Sequence, residues 1–275
     1  GNKYVGQFEV GQWTGKGKLT FSNGNEYVGQ FVNDKYHGEG TYTSSKGDQY
    51  IGEWKNNKQH GDGKEIFSSG NVYSGKYALG RRTGFGSFVF ANGNKYVGEF
   101  LNDKYHGKGT FTKPNGDQYV GSWEFGQQHG IGTIKTKDGG TYSGDWKKGK
   151  RDGKGSSVYN NGERFTGQFR DNARNGDGTL VFSNGNKYVG SFKNGKRTGL
   201  GSFLFAKGGN YKGQFLNGNM TGKGTFVFAN GDIYAGKFKN GTFSGEGSFK
   251  FKSGNEYIGN FKENQSHGKG TYIYN

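Results

Sequence analysis

Aromatic residues and glycines alternate with polar residues along this chain, and the alternation restarts every 23 residues. Tyrosines stand at 4, 27, 50, 73, 96, 119, 142, 188, 211, 234 and 257, and Phe165 fills the same place in the eighth copy. With each of these as position 1, position 3 is Gly in all twelve copies and position 5 is always aromatic, from Phe8 and Phe31 to Phe261. Positions 12 and 14 are Gly throughout, and position 21 is Gly in the eleven copies that reach it. A fixed interval of this kind marks a repeat array. The glycines are therefore positional, which excludes a flexible Gly-rich linker.

The period within each copy is two. No stretch spaces apolar residues at i, i+3 and i+4, and glycine interrupts every window, so helix is disfavoured. Two strands per copy are expected, at positions 1–6 and 12–18, as in Tyr96-Val97-Gly98-Glu99-Phe100 and Gly86-Ser87-Phe88-Val89-Phe90. Asn23-Gly24, Asn92-Gly93 and Asn184-Gly185 mark the turn between copies, the strongest short turn signal in a β context. The other connection, positions 7–10, is polar, as in Asn194-Gly195-Lys196-Arg197. If position 5 faces 12, position 3 faces 14 and position 1 faces 16, rings and glycines share one face. The other face then carries Val, Gln, Glu, Lys, Thr and Ser. The expected fold is all-β: one array over residues 1–275, an elongated single-layer antiparallel sheet of twelve stacked β-hairpins. Its twenty-four strands would span roughly 110 Å and curl toward the ring face into a trough.

Composition sharpens this. Hydrophobic residues are only 29% of the chain but aromatics are 17%, so what burial there is must be aromatic. No apolar run approaches the ~18 residues of a membrane helix, and no signal peptide is visible. Cysteine is absent, which removes disulfides and thiolate metal sites. A cytoplasmic setting is expected, with a place at a membrane or the cytoskeleton or outside the cell left open. The net charge of +16 points to an acidic partner.

The unit Tyr-x-Gly-x-aromatic, loop, His-Gly-x-Gly-x-aromatic resembles the MORN (membrane occupation and recognition nexus) repeat, clearest from Tyr96-Val97-Gly98-Glu99-Phe100 through His106-Gly107-Lys108-Gly109-Thr110-Phe111. The resemblance covers the whole chain. It implies a hairpin per repeat, an elongated sheet with a groove, scaffolding of organelles and cytoskeleton, and helical partners held along the groove. Phosphoinositide binding is also commonly assigned to the family.

Candidate chemistry is sparse. The five histidines, His37, His60, His106, His129 and His267, all occupy position 11, where other copies hold Thr, Asp, Asn or Ser. Equivalent positions in adjacent repeats lie about 10 Å apart, too far for shared metal ligation. Gly15-Lys16 and Gly107-Lys108 lack the spacing and the following Ser or Thr of a phosphate loop. No catalytic constellation stands apart from the repeat, so no enzyme, cofactor or metal is expected.

Binding is the expectation instead. The ring face nominates Tyr73, Tyr77, Tyr96, Phe100, Tyr119, Trp123, Tyr142 and Trp146 as a protein-binding groove, since exposed apolar surface marks interaction sites. Lys147, Lys148, Lys150, Arg151, Arg170, Arg174, Lys193, Lys196 and Arg197 nominate a basic edge for anionic lipid. Trp13, Tyr36, Tyr105, Met220 and Phe243 at position 10 either meet a partner or fold back over the sheet. Nucleic acid ranks last, because the aromatics already have a structural account. Bare terminal strands suggest end-to-end homodimerisation.

Overall fold

The computed structural model describes residues 1–275, which form twenty-four strands and no helix. The first hairpin is β1 (Lys3–Glu9) with β2 (Gln12–Thr20), the second β3 (Glu26–Val32) with β4 (Lys35–Thr43), and the alternation runs on to β23 (Glu256–Lys262) and β24 (Gln265–Ile273). The chain divides into two compact units, residues 1–137 and 138–275, with twelve strands each. Within each unit consecutive strands pair antiparallel in one single-layered sheet.

The register departs from the expected one at one end of each hairpin. Position 1 faces 16 and position 3 faces 14, as in Tyr4 opposite Leu19 and Gly6 opposite Gly17. Beyond that pair the strands slip by two residues, so Gln7 faces Thr14 and Phe8 faces Trp13. Position 5 therefore opposes position 10, and position 12 opposes position 5 of the following repeat, as Gly15 opposes Phe31. The connection causes the slip. Positions 7 and 8 alone make the turn, both left-handed, as at Asn33 (φ 49°) and Asp34 (φ 60°). That is the two-residue hairpin turn whose twist matches the strands, and the second strand begins at position 9. The Asn-Gly turns are of the other kind. In Phe21–Asn25 the Gly24 N–H donates to Phe21 O at 3.0 Å, with Gly24 at φ 86°, a tight turn followed by a left-handed glycine.

The slip is absorbed by a bulge. Its first residue, position 12, is left-handed, as at Gly15 (φ 59°) and Gly107 (φ 56°), which only glycine adopts cheaply. The N–H of position 13 is capped by the position 4 side chain: Lys108 N–H donates to Glu99 Oε1 at 2.8 Å, and Lys154 N–H to Asp145 Oδ2 at 2.8 Å. Asn and Asp also tie neighbouring repeats at both rims. Asp34 Oδ1 accepts from Trp13 N–H at 2.7 Å and Asn57 Oδ1 from Tyr36 N–H at 2.8 Å. On the opposite rim Asn25 accepts from Ser45 N–H and Asp48 from Ser68 N–H, each at 2.9 Å.

The core is a layer of rings lying on the sheet. Each position 1 ring covers the facing glycine pair of positions 3 and 14; a Cβ on Gly109 would strike the Tyr96 ring and hydroxyl, and one on Gly98 would strike the Gly109 backbone. The hydroxyl donates back to the chain, Tyr96 Oη to Glu99 O at 2.9 Å and Tyr142 Oη to Asp145 O at 2.8 Å. Position 5 meets this ring edge-on from its own repeat and again from the next. Tyr73 lies 5.2 Å from Tyr77 and 5.0 Å from Phe100; in the second unit Tyr188 lies 5.1 Å from Phe192 and 4.9 Å from Phe215. Each such pair adds about 0.5–1.5 kcal/mol beyond its burial. Tyr27, Tyr73, Tyr96, Phe165, Tyr188, Tyr211 and Tyr234 are 0% exposed.

Burial raises the buried phenols, and for Tyr142, Tyr188 and Tyr211 the rise is to about 12 from an ordinary 10.0. Above the ordinary value the unfolded chain releases these protons while the folded chain keeps them, so stability falls as pH climbs from 10 toward 12. We expect alkaline unfolding in that window, with phenolate absorbance rising together with loss of strand circular dichroism; phenolate appearing well before unfolding would contradict it. Gly109→Ala should destabilise by about 1–3 kcal/mol through overpacking, read as a lowered chemical-denaturation midpoint. Gly195→Asn, at a turn site with open space where Asn57 and Asn172 stand in other repeats, should change stability by less than ~1 kcal/mol.

Candidate functional site

The eight rings nominated as a groove lie in the buried layer. In the first unit Tyr73, Tyr77, Tyr96, Phe100, Tyr119 and Trp123 are buried, and so are Tyr142 and Trp146 in the second. The expectation that a partner touches these rings is corrected by their burial. They are foundation, because position 1 and position 5 rings pack edge-on against one another within the layer. Tyr77 is also engaged below the surface, donating to Glu65 Oε2 at 3.0 Å; burial raises the Glu65 carboxyl above its ordinary range.

Position 10 lies on the ring face, because the bulge brings it opposite position 5. In eight repeats its side chain covers the position 1 ring. Trp13 stacks on Tyr4 at 4.5 Å, Tyr36 on Tyr27 at 3.7 Å, Tyr105 on Tyr96 at 3.8 Å and Phe243 on Tyr234 at 3.8 Å, all near parallel. Trp13, Tyr36, Tyr105 and Phe243 thus fold back over the sheet. Four other copies place an arginine there. Arg82 lies 5.5 Å from the Tyr73 centroid, Arg151 5.5 Å from Tyr142, Arg174 5.8 Å from Phe165 and Arg197 5.6 Å from Tyr188. A guanidinium over a ring gains about 0.5–2 kcal/mol.

The basic residues nominated as one edge therefore separate. Arg151, Arg174 and Arg197 are half-buried over the rings, whereas Lys147, Lys148, Lys150, Arg170, Lys193 and Lys196 are exposed. Lys150 Nζ pairs with Asp171 Oδ1 at 2.8 Å. Around Lys193, Lys196 and Arg197 the surface forms a cleft of about 360 Å³, completed by Leu216 and Asn217.

Sequence reasoning passed over a second stripe of rings, at positions 16 and 18. In the second unit Phe182, Phe203, Phe205, Phe226, Phe228, Phe249 and Phe251 follow one another with centroids 4.6 to 5.6 Å apart. All but Phe203 keep part of their surface exposed. The first unit has a shorter version in Phe67, Phe88, Phe90 and Phe111. The signal was present as alternating aromatics in Phe226-Val227-Phe228 and Phe249-Lys250-Phe251. These rings flank the buried row and stay partly exposed. The histidines remain one per repeat; His129 Nδ1 sits 3.2 Å from Glu124 Oε2, and no group of three potential metal ligands converges.

Comparison with known families matches the MORN repeat twelve times in succession, from residues 4–26 and 27–49 to 257–275. No curated protein matches the chain. Among solved structures, the TCP10 domain of Danio rerio CPAP in complex with a peptide of Danio rerio STIL is 12% identical, covering 85% of this chain and 93% of that one with a TM-score of 0.26. The SAS-4 (dCPAP) TCP domain of Drosophila melanogaster, in complex with a proline-rich motif of Ana2, is 12% identical over 70% and 90%, with a TM-score of 0.30. A virginiamycin B lyase from Staphylococcus aureus is 11% identical over 95% and 89%, with a TM-score of 0.16.

Proposed function

The chain belongs to the MORN-repeat family over residues 4–275, and from that premise we propose that it is a non-enzymatic scaffold that docks a protein segment on the ring face of its repeats. The carrying observation is the stripe of partly exposed phenylalanines in the second unit, Phe182, Phe205, Phe226, Phe228, Phe249 and Phe251. No second layer covers it, and contiguous apolar surface on a soluble protein marks an interaction site. The segment we favour is an amphipathic helix. Equivalent rings recur every two strands, about 10 Å, and seven helical residues advance ~10.5 Å, so one apolar stripe can meet successive repeats in phase.

Position 18 supplies the test. Ser44 and Thr136 occupy it in other repeats, so serine there is compatible with the fold. The triple variant Phe205→Ser, Phe228→Ser, Phe251→Ser should keep the circular dichroism spectrum and nearly the thermal midpoint of the parent. Panning a displayed library of helical peptides should enrich binders on the parent and lose them on the variant by at least ~10-fold. Equal enrichment on both, or enrichment on neither, overturns the proposal.

A further inference from the structure

The two units differ in how position 10 arginines are compensated. In the first unit Arg82 Nε pairs with Asp103 Oδ1 at 3.2 Å. Asp103 occupies position 8 of the following repeat. In the second unit the corresponding residues beside Arg151, Arg174 and Arg197 are Asn172, Gly195 and Gly218, all neutral. Arg151 Nη2 donates to Asn172 O at 2.9 Å and Arg197 Nη2 to Gly218 O at 2.6 Å. Arg174 Nη1 is buried with no hydrogen-bond partner. Three consecutive repeats thus hold half-buried guanidinium groups on rings with no carboxylate bound to them. Burial lowers the Arg197 guanidinium below its ordinary value, and repulsion from Arg174 acts in the same direction. The unit around them carries 21 Lys and Arg against 10 Asp and Glu, compared with 17 against 12 in the first unit.

A half-buried cation without a counter-ion is costly, and a carboxylate arriving from outside removes that cost. Each guanidinium has five N–H donors in a rigid plane, of which one hydrogen bond consumes one. Packing over the rings holds each guanidinium in place in advance, so little freedom is lost on binding. The three sites recur every two strands, about 10 Å.

We propose that Arg151, Arg174 and Arg197 form a ladder on the ring face that receives an acidic protein segment, one carboxylate per repeat. The inference rests on the reading of this face as a protein-docking surface and adds the chemistry of its occupant. Carboxylates one heptad apart on a helix, ~10.5 Å, match the ladder's spacing, with the apolar side of the same helix directed at the neighbouring phenylalanine stripe. Repeated phosphate at a lipid surface offers negative charge too; the ~10 Å spacing of the three sites and the phenylalanine stripe beside them favour a helical segment.

The test uses the full chain and a labelled helical peptide of about three heptads with Glu at every seventh position beside a leucine stripe. Gln occupies position 10 natively at Gln59 and Gln128, so Arg→Gln is compatible with the fold. The triple variant R151Q, R174Q, R197Q should retain its circular dichroism spectrum and weaken peptide binding by about 100-fold, while R82Q leaves it unchanged. Raising the salt should weaken the parent's binding and not the triple variant's residual binding. A peptide with Gln for Glu that binds as tightly as the acidic one would preserve protein docking but overturn the acidic ladder. Loss of binding to both peptides in the phenylalanine variant alone, with the arginine variant unaffected, would do the same. Sedimentation with phosphatidylserine vesicles in the absence of peptide binding would assign the arginines to a membrane and overturn the proposal.

Discussion

A ring laid flat on two opposed glycines is the contact on which this structure depends. Position 3 and position 14 face each other across every hairpin, and the position 1 ring occupies the space their missing side chains leave. A sheet of one layer has no second sheet or helix to bury against, so it must supply its own cover. Here the cover is the ring itself, anchored by its hydroxyl to a backbone carbonyl three residues on. Phe165 keeps the ring without the hydroxyl and remains fully buried, which places the weight of the interaction on the ring–glycine contact and not on the hydrogen bond. Ring packing from positions 5 and 10 then seals the layer, and each repeat depends on the next because position 5 reaches back across the interface.

The bulge extends this constraint to the outer surface of the ring face. A two-residue turn leaves the second strand two residues too long for its partner, and the left-handed glycine at position 12 takes up the excess. Without that slip position 10 would not oppose position 5. With it, position 10 becomes the lid over the ring layer, and it varies widely between repeats: Trp, Tyr, Phe and Met, but also Gln, Ser and Arg. The invariant positions make the sheet, and the variable lid determines what the sheet presents. An aromatic lid closes the layer with apolar surface. An arginine lid closes it with charge, neutralised where Asp103 follows and left without a carboxylate in three repeats of the second unit.

Sequence and structure agree wherever local periodicity decides the outcome. Alternation with period two, Asn-Gly turns and the 23-residue interval are enough to read twelve hairpins and to place Tyr, Gly and the position 5 aromatics on one face. The strand limits and the turn at positions 7 and 8 are less legible, because Asn33-Asp34, Phe125-Gly126 and Lys148-Gly149 share a backbone conformation and not a composition. The Asn and Asp residues at positions 8 and 22 read as turn formers, yet their second role is to cap N–H groups of an adjacent repeat, a partner some twenty residues away in the chain.

What the chain determines alone is the repeat, the all-β fold and the sidedness of its aromatics, since each depends on neighbours a few residues apart. What the tertiary structure decided is which aromatics are spent on the core. Tyr96, Phe100 and Trp123 have the spacing of groove walls and are buried, while Phe205, Phe228 and Phe251 stay partly exposed. The arginines divided from the lysines for the same reason. A two-residue slip in register, invisible in composition, turns position 10 onto the ring face and leaves positions 6, 7 and 9 in water.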